Sequence, residues 1–157
     1  MALACGWSLG AQQAYHHAAL FPERVERVLA LCGAACSPPQ QLASLAETRA
    51  ALLAGASAPP HDLLSVLDTW QRASIADNDT FHGDLEQALR AIQARVVLMP
   101  CSSDATVPPE ISRSELSHLR RGELRVIRSP LGHEAGAPER VTEDSLVERV
   151  LRELLES

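Results

Sequence analysis

Lysine is missing from this sequence. All 14 Lys+Arg positions are arginine, set against 20 Asp+Glu for a formal net charge of −6. The missing lysine reads as a lineage bias in composition rather than a functional mark. The missing basic excess is more informative, because a protein that tracks nucleic-acid phosphates needs a positive face. Paired cysteines are also lacking. Cys5, Cys32, Cys36 and Cys101 form no C-x-x-C unit, which argues against a zinc site and for free thiols in a reducing compartment. No apolar run approaches the roughly 20 residues of a membrane span. The opening "MALAC" has neither the basic nor the apolar stretch of a secretion signal. The expected setting is therefore the cytoplasm, with no nucleic-acid and no membrane partner. No internal repeat or low-complexity tract is visible. What remains is 157 residues, 46% hydrophobic and 22% charged, a composition that folds as one globular domain with a sizeable core.

The order of elements implies an α/β protein. "ALAC" is a stub of strand, and Leu9 to Leu20 is rich in Ala, Leu and Gln and reads as helix, ending before Phe21-Pro22. A buried strand is expected from about Val25 to Leu31, closed by Gly33. From Gln40 to Arg90 only helical pieces are legible, interrupted by Gly55 and Pro59-Pro60, so this stretch reads as an inserted helical cap. Alternation then resumes. "ARVVLMPC" has the short apolar form of a parallel strand, "PEISRSELSHLR" is a helix with Pro109 in its first turn, and "GELRVIRS" is the next strand. The last segment is an amphipathic helix with Val147, Val150, Leu151, Leu154 and Leu155 on one face and Thr142 as its N-cap. Strand and helix alternating in this way imply a parallel sheet flanked by helices.

The chemistry-bearing positions follow that order. Gly6-Trp7-Ser8-Leu9-Gly10 has the form G-x-S-x-G. The pentapeptide is short enough to arise by chance, so its setting decides. It stands between a strand stub and a helix, the setting a nucleophile elbow requires. In so tight a turn, Gly6 and Gly10 are expected to supply room around Ser8. The Ser8 hydroxyl would then stand above the sheet, with the Leu9 backbone N–H facing a developing oxyanion. A serine needs a base, and the base an orienting acid. Asp104 in "CSSDATVPPE" and His133 in "SPLGHEAG" each follow a strand's carboxyl end, where open α/β sheets place their sites. Ser8, Asp104 and His133 also come in the chain order of this fold class. Trp7 is open to two readings, pocket lining or strand packing. Trp70 and Phe81, on the cap, are expected to line the substrate pocket.

Other clusters carry less. His16 and His17 are neighbours on a helix and point about 100° apart, which prevents them from sharing a metal on one face. "DNDTFHGDLE" begins like a calcium loop at Asp77, but His82 stands where glycine is needed and Ala88 where the closing glutamate should be. Neither a metal nor an organic cofactor is called for.

The elbow with "AQQAYHHAALFPERVERVLALCGAA", together with "GDLEQALRAIQARVVLMPCSSDATVPPE" and "ELRVIRSPLGHEAG", resembles the homoserine O-acetyltransferase-like branch of the α/β-hydrolase superfamily. The likeness runs from about residue 5 to the C-terminus. It implies Ser8 as nucleophile, Asp104 as acid, His133 as base, and a helical lid over residues 38 to 90. Biosynthetic members look like G-G-S-M-G-G at the elbow. Trp7 and Ala11 here are closer to the hydrolases that share the family name. The resemblance also implies several strands before the elbow, and with them a loop giving a second oxyanion donor. Residues 1–157 are therefore expected to form a single N-terminally truncated domain. Two functions follow. One is acyl transfer from a small-molecule acyl donor or ester to an alcohol or to water. The other is a catalytically silent remnant that associates with a partner, or with itself, through an open sheet edge.

Overall fold

The computed structural model describes residues 2–55, 61–142 and 145–156. Four strands form one sheet in the order β1-β2-β3-β4: β1 (Ala4–Trp7), β2 (Arg27–Leu31), β3 (Arg95–Met99) and β4 (Gly122–Leu124). Every pairing is parallel, with Gly6 opposite Ala30, Ala30 opposite Leu98, and Leu98 opposite Leu124. Beyond β4 the chain stays alongside β3, where Ile127 bridges Cys101.

The apolar runs of β2 and β3 are continuous because both faces of these strands are covered. Successive side chains point to opposite faces. Val28, Ala30, Val96 and Leu98 enter one core, and Leu29, Leu31, Val97 and Met99 enter the other. The first core is roofed by α1 (Leu9–Leu20) and α4 (Leu85–Ala91). On α1, Ala11, Ala14, Tyr15 and Ala18 are buried, a spacing that turns one stripe of the helix to the sheet. The second core is closed by α6 (Leu146–Glu156) through Val147, Val150 and Leu154. Leu151 is half-buried, and Leu155, expected on the same face, is 60% exposed because it falls past the edge of that stripe. The cap of α6 is Ser145 rather than Thr142: the Ser145 hydroxyl accepts the Glu148 N–H at 3.1 Å.

The insertion leaves the sheet after β2. Helices α2 (Pro39–Gly55) and α3 (His61–Gln71) pack on each other and bury only Gln41, Leu45 and Leu67. Their expected break at Pro59-Pro60 lies outside the described residues. The chain then returns beside its exit, where Ser74 bridges Cys36 in antiparallel fashion. From there Ile75, Ala76 and Phe81 are core residues, and α4 packs against α1. The part standing off the sheet is thus α2 and α3, while residues 75–91 belong to the body. Helix α5 (Pro109–Leu116) follows β3, with Pro109 in its first turn. None of the described helices is long and apolar enough to cross a membrane.

Candidate active site

The elbow is built by backbone constraint. The Ser8 N–H donates to Leu31 O at 2.9 Å, the last bond of β1 to β2, and α1 begins one residue later. Ser8 has φ 56° and ψ −118°, a conformation that costs a non-glycine residue about 1–3 kcal/mol. Glycine is compulsory at Gly6, where a Cβ would come within 2.1 Å of the Gly10 carbonyl carbon. Gly10 does not have the expected role, since a Cβ there would meet nothing within 4 Å. The second tight approach comes from Gly33, where a Cβ would lie 2.4 Å from the Ala11 side chain and 2.7 Å from Ser8 O. Leu9 is the first residue of α1, so its N–H has no carbonyl four residues back and is free to meet a ligand oxygen.

Asp104 sits in the loop between β3 and α5, 4% exposed. Its Oδ1 accepts the N–H groups of Thr106 and Val107 at 2.8 and 2.9 Å, which leaves Oδ2 to face His133 Nδ1 at 2.8 Å. His133 Nε2 lies 2.7 Å from Ser8 Oγ. With the Nδ1 proton donated to Asp104, Nε2 is the acceptor of the Ser8 hydroxyl. The three residues expected to meet are therefore brought together in one hydrogen-bonded chain.

The turn Gly132–Gly136 that carries His133 is fastened from two sides. The Gly132 N–H donates to Ser103 Oγ at 3.1 Å, and Ser103 Oγ donates to Ser129 O at 2.7 Å. On the other side, the Trp7 indole N–H donates to His133 O at 2.9 Å. Neither Ser103 nor this bond was marked by any sequence pattern, because both link segments distant in the chain. Gly33 carried a faint signal as the residue closing an apolar strand.

The pocket residues fall differently. A cavity of about 550 Å³ lies between α1 and the end of α3, bordered by Leu9, Gln12, His16, Thr69, Arg72 and Ser74. Burial, and then His17 beside it, pushes the His16 imidazole below its usual range. Trp70, expected to line the pocket, is half-buried but does not border this cavity, and its carbonyl accepts the Ser37 hydroxyl at 3.2 Å. Phe81 is 4% exposed, packed with the alanines of α1 rather than in the cavity wall. Trp7 borders a different space, an apolar cavity of about 300 Å³ against Leu29, Leu31, Val147 and Leu151. The buried Cys32 thiol is not a competing nucleophile. Burial, and then the charge of Asp104, pushes Cys32 up to about 12, where thiolate is scarce at neutral pH.

Neither a protein family nor a curated protein matches this sequence. Solved structures do match its fold. An acetylester hydrolase from Corynebacterium glutamicum superposes with a TM-score of 0.84 at 22% identity, over 99% of this chain and 61% of its own. The acetyl esterase MekB gives 0.86 at 23%, over 99% and 62%. A homoserine O-acetyltransferase from Bacillus anthracis gives 0.79 at 17%, over 100% and 60%. The chain thus spans about three fifths of the length of these enzymes. Over that span, a parallel four-stranded sheet with flanking helices and an inserted helical pair gives this protein the α/β-hydrolase fold.

Proposed function

We propose that this protein is a serine-dependent acyl-transfer enzyme acting on small esters, with Ser8 as nucleophile, His133 as general base and acid, and Asp104 as the group that orients His133. One observation carries the reading: the unbroken Ser8–His133–Asp104 chain at 2.7 and 2.8 Å. Ser8 Oγ attacks the acyl carbonyl while its proton passes to His133 Nε2. The Leu9 N–H, at the N-terminus of α1, stabilises the oxyanion. Collapse expels the alcohol, which takes the proton from His133 and leaves an acyl-Ser8 ester. Water or a second alcohol then attacks, gives its proton to His133, and releases the acyl group while Ser8 recovers its proton. The buried Asp104 carboxylate offsets the imidazolium charge in both halves. The neighbours named as acetyl-ester hydrolases and an acetyltransferase support a short acyl group. The four free thiols support the cytoplasm as the working compartment.

A second reading is association through the sheet edge without turnover. It is favoured by β1, whose outer edge pairs with no strand among the described residues and whose Cys5 is exposed. An open edge of this kind recruits another strand. Turnover of p-nitrophenyl acetate by residues 1–157 separates the two readings. Acyl transfer predicts hydrolysis that Ser8→Ala abolishes. Hydrolysis equal in the parent and in Ser8→Ala overturns it.

A further inference from the structure

Trp7 closes β1 and immediately precedes Ser8. Its indole N–H donates to the backbone carbonyl of His133 at 2.9 Å, and its ring lies 5.5 Å from the imidazole, tilted by 43°. The seat is shaped for it: a Cβ on Gly136 would come within 2.9 Å of Trp7 Cδ1. Behind the ring lies the apolar cavity of about 300 Å³ bordered by Leu29, Leu31, Val147 and Leu151. Packing alone therefore does not hold the indole, because there is unfilled apolar space beside it. The N–H···O bond fixes which way the ring faces.

From this arrangement we infer that Trp7 is a positioning residue for His133. It ties the strand that presents the nucleophile to the turn that presents the base, so that Ser8 Oγ and His133 Nε2 keep their register. The inference rests on the acyl-transfer reading above, and it assigns Trp7 a role distinct from pocket lining. Ser103 restrains the turn through the Gly132 N–H and Trp7 through the His133 carbonyl, so the base is gripped at two successive residues. Losing one grip lets the imidazole drift, and a drift of about 1 Å costs on the order of 10²-fold in rate.

The test uses a fluorophosphonate, which phosphonylates an activated serine and expels fluoride. Both kinact and KI are measured in the Trp70→Phe background, where Trp7 is the single tryptophan. Adding Trp7→Phe keeps an aromatic ring and removes the N–H. The expected result is a fall in kinact of roughly 10–100-fold with KI little changed and the thermal midpoint within a few degrees. Trp7 emission at a single pH should also change in His133→Gln, which reports the 5.5 Å ring contact without any chemistry. Equal kinact in the two proteins, or Trp7 emission left unchanged by His133→Gln, overturns the inference and leaves the acyl-transfer reading standing. Absence of labelling in the Trp7 parent overturns the acyl-transfer reading itself, and the positioning role with it.

Discussion

Tyr15 donates its hydroxyl to Glu115 at 2.9 Å in a place where both residues are buried. The other Glu115 oxygen accepts the Ala35 N–H at 2.7 Å. This joint fastens α5, which follows the Asp104 loop, to the elbow helix α1 and to the loop after β2. Burial pushes the Glu115 carboxyl up from 4.5 to about 7, against the opposing pull of its bonds from Ala35 and Tyr15.

A pH dependence of stability follows from that shift. Between pH 4.5 and about 7 the folded state holds a proton on Glu115 that the unfolded chain releases, so stability falls as pH rises through this window. The contribution is fully present below pH 4.5, is lost by about pH 7, and is of the order of 3 kcal/mol. In Glu115→Gln this component should be absent, and the denaturant-derived stability should be flatter over the same window. An unchanged slope in the variant would show that Glu115 does not titrate there.

The two glycines of the elbow should respond in opposite ways. Gly6→Ala forces a Cβ to 2.1 Å from the backbone of Gly10, and the expected outcome is a loss of soluble folded protein. Gly10→Ala meets nothing within 4 Å at the second position of α1. It should stabilise the protein by about 0.5–1 kcal/mol, the usual preference for alanine over glycine in a helix. Thermal melts of both variants decide this, and a stable Gly6→Ala would mean that the turn is looser than described.

The contrast between these glycines shows what the sequence could convey. Leu9–Leu20 was legible as a helix because its ends are marked by the elbow and by Pro22, and β2 and β3 were legible as short apolar runs. Ser8, Asp104 and His133 were legible because each follows a strand's carboxyl end in a fixed order. The symmetric pair of glycines was misleading. Gly6 faces the backbone of α1, Gly10 faces open space, and the crowding comes instead from Gly33 across the sheet. Phe81 misled in another way: a helical stretch carries no mark of where an insertion rejoins the body, and here that happens before Phe81. The Trp7–His133 and Tyr15–Glu115 bonds join residues 126 and 100 positions apart, and no local pattern encodes such pairs.

Ser8 stores strain that its removal should release. At φ 56° and ψ −118°, glycine is at ease where serine and alanine are not. Ser8→Gly should therefore be more stable than Ser8→Ala by about 1 kcal/mol or more, although both lack the hydroxyl. Equal unfolding free energies for the two variants would argue that the elbow relaxes once Ser8 is gone.

The central claim is that Ser8 is an activated nucleophile driven by His133 and held in line by Asp104. It is tested most directly by intact-mass and peptide mass spectrometry after fluorophosphonate treatment of residues 1–157. The account predicts one adduct per chain, on the peptide containing Ser8. It should be absent in Ser8→Ala and formed roughly 10³–10⁴ times more slowly in Asp104→Asn, where the imidazole loses its orienting acceptor. An adduct on another residue, or labelling of Ser8 at the same rate in His133→Gln, would contradict it.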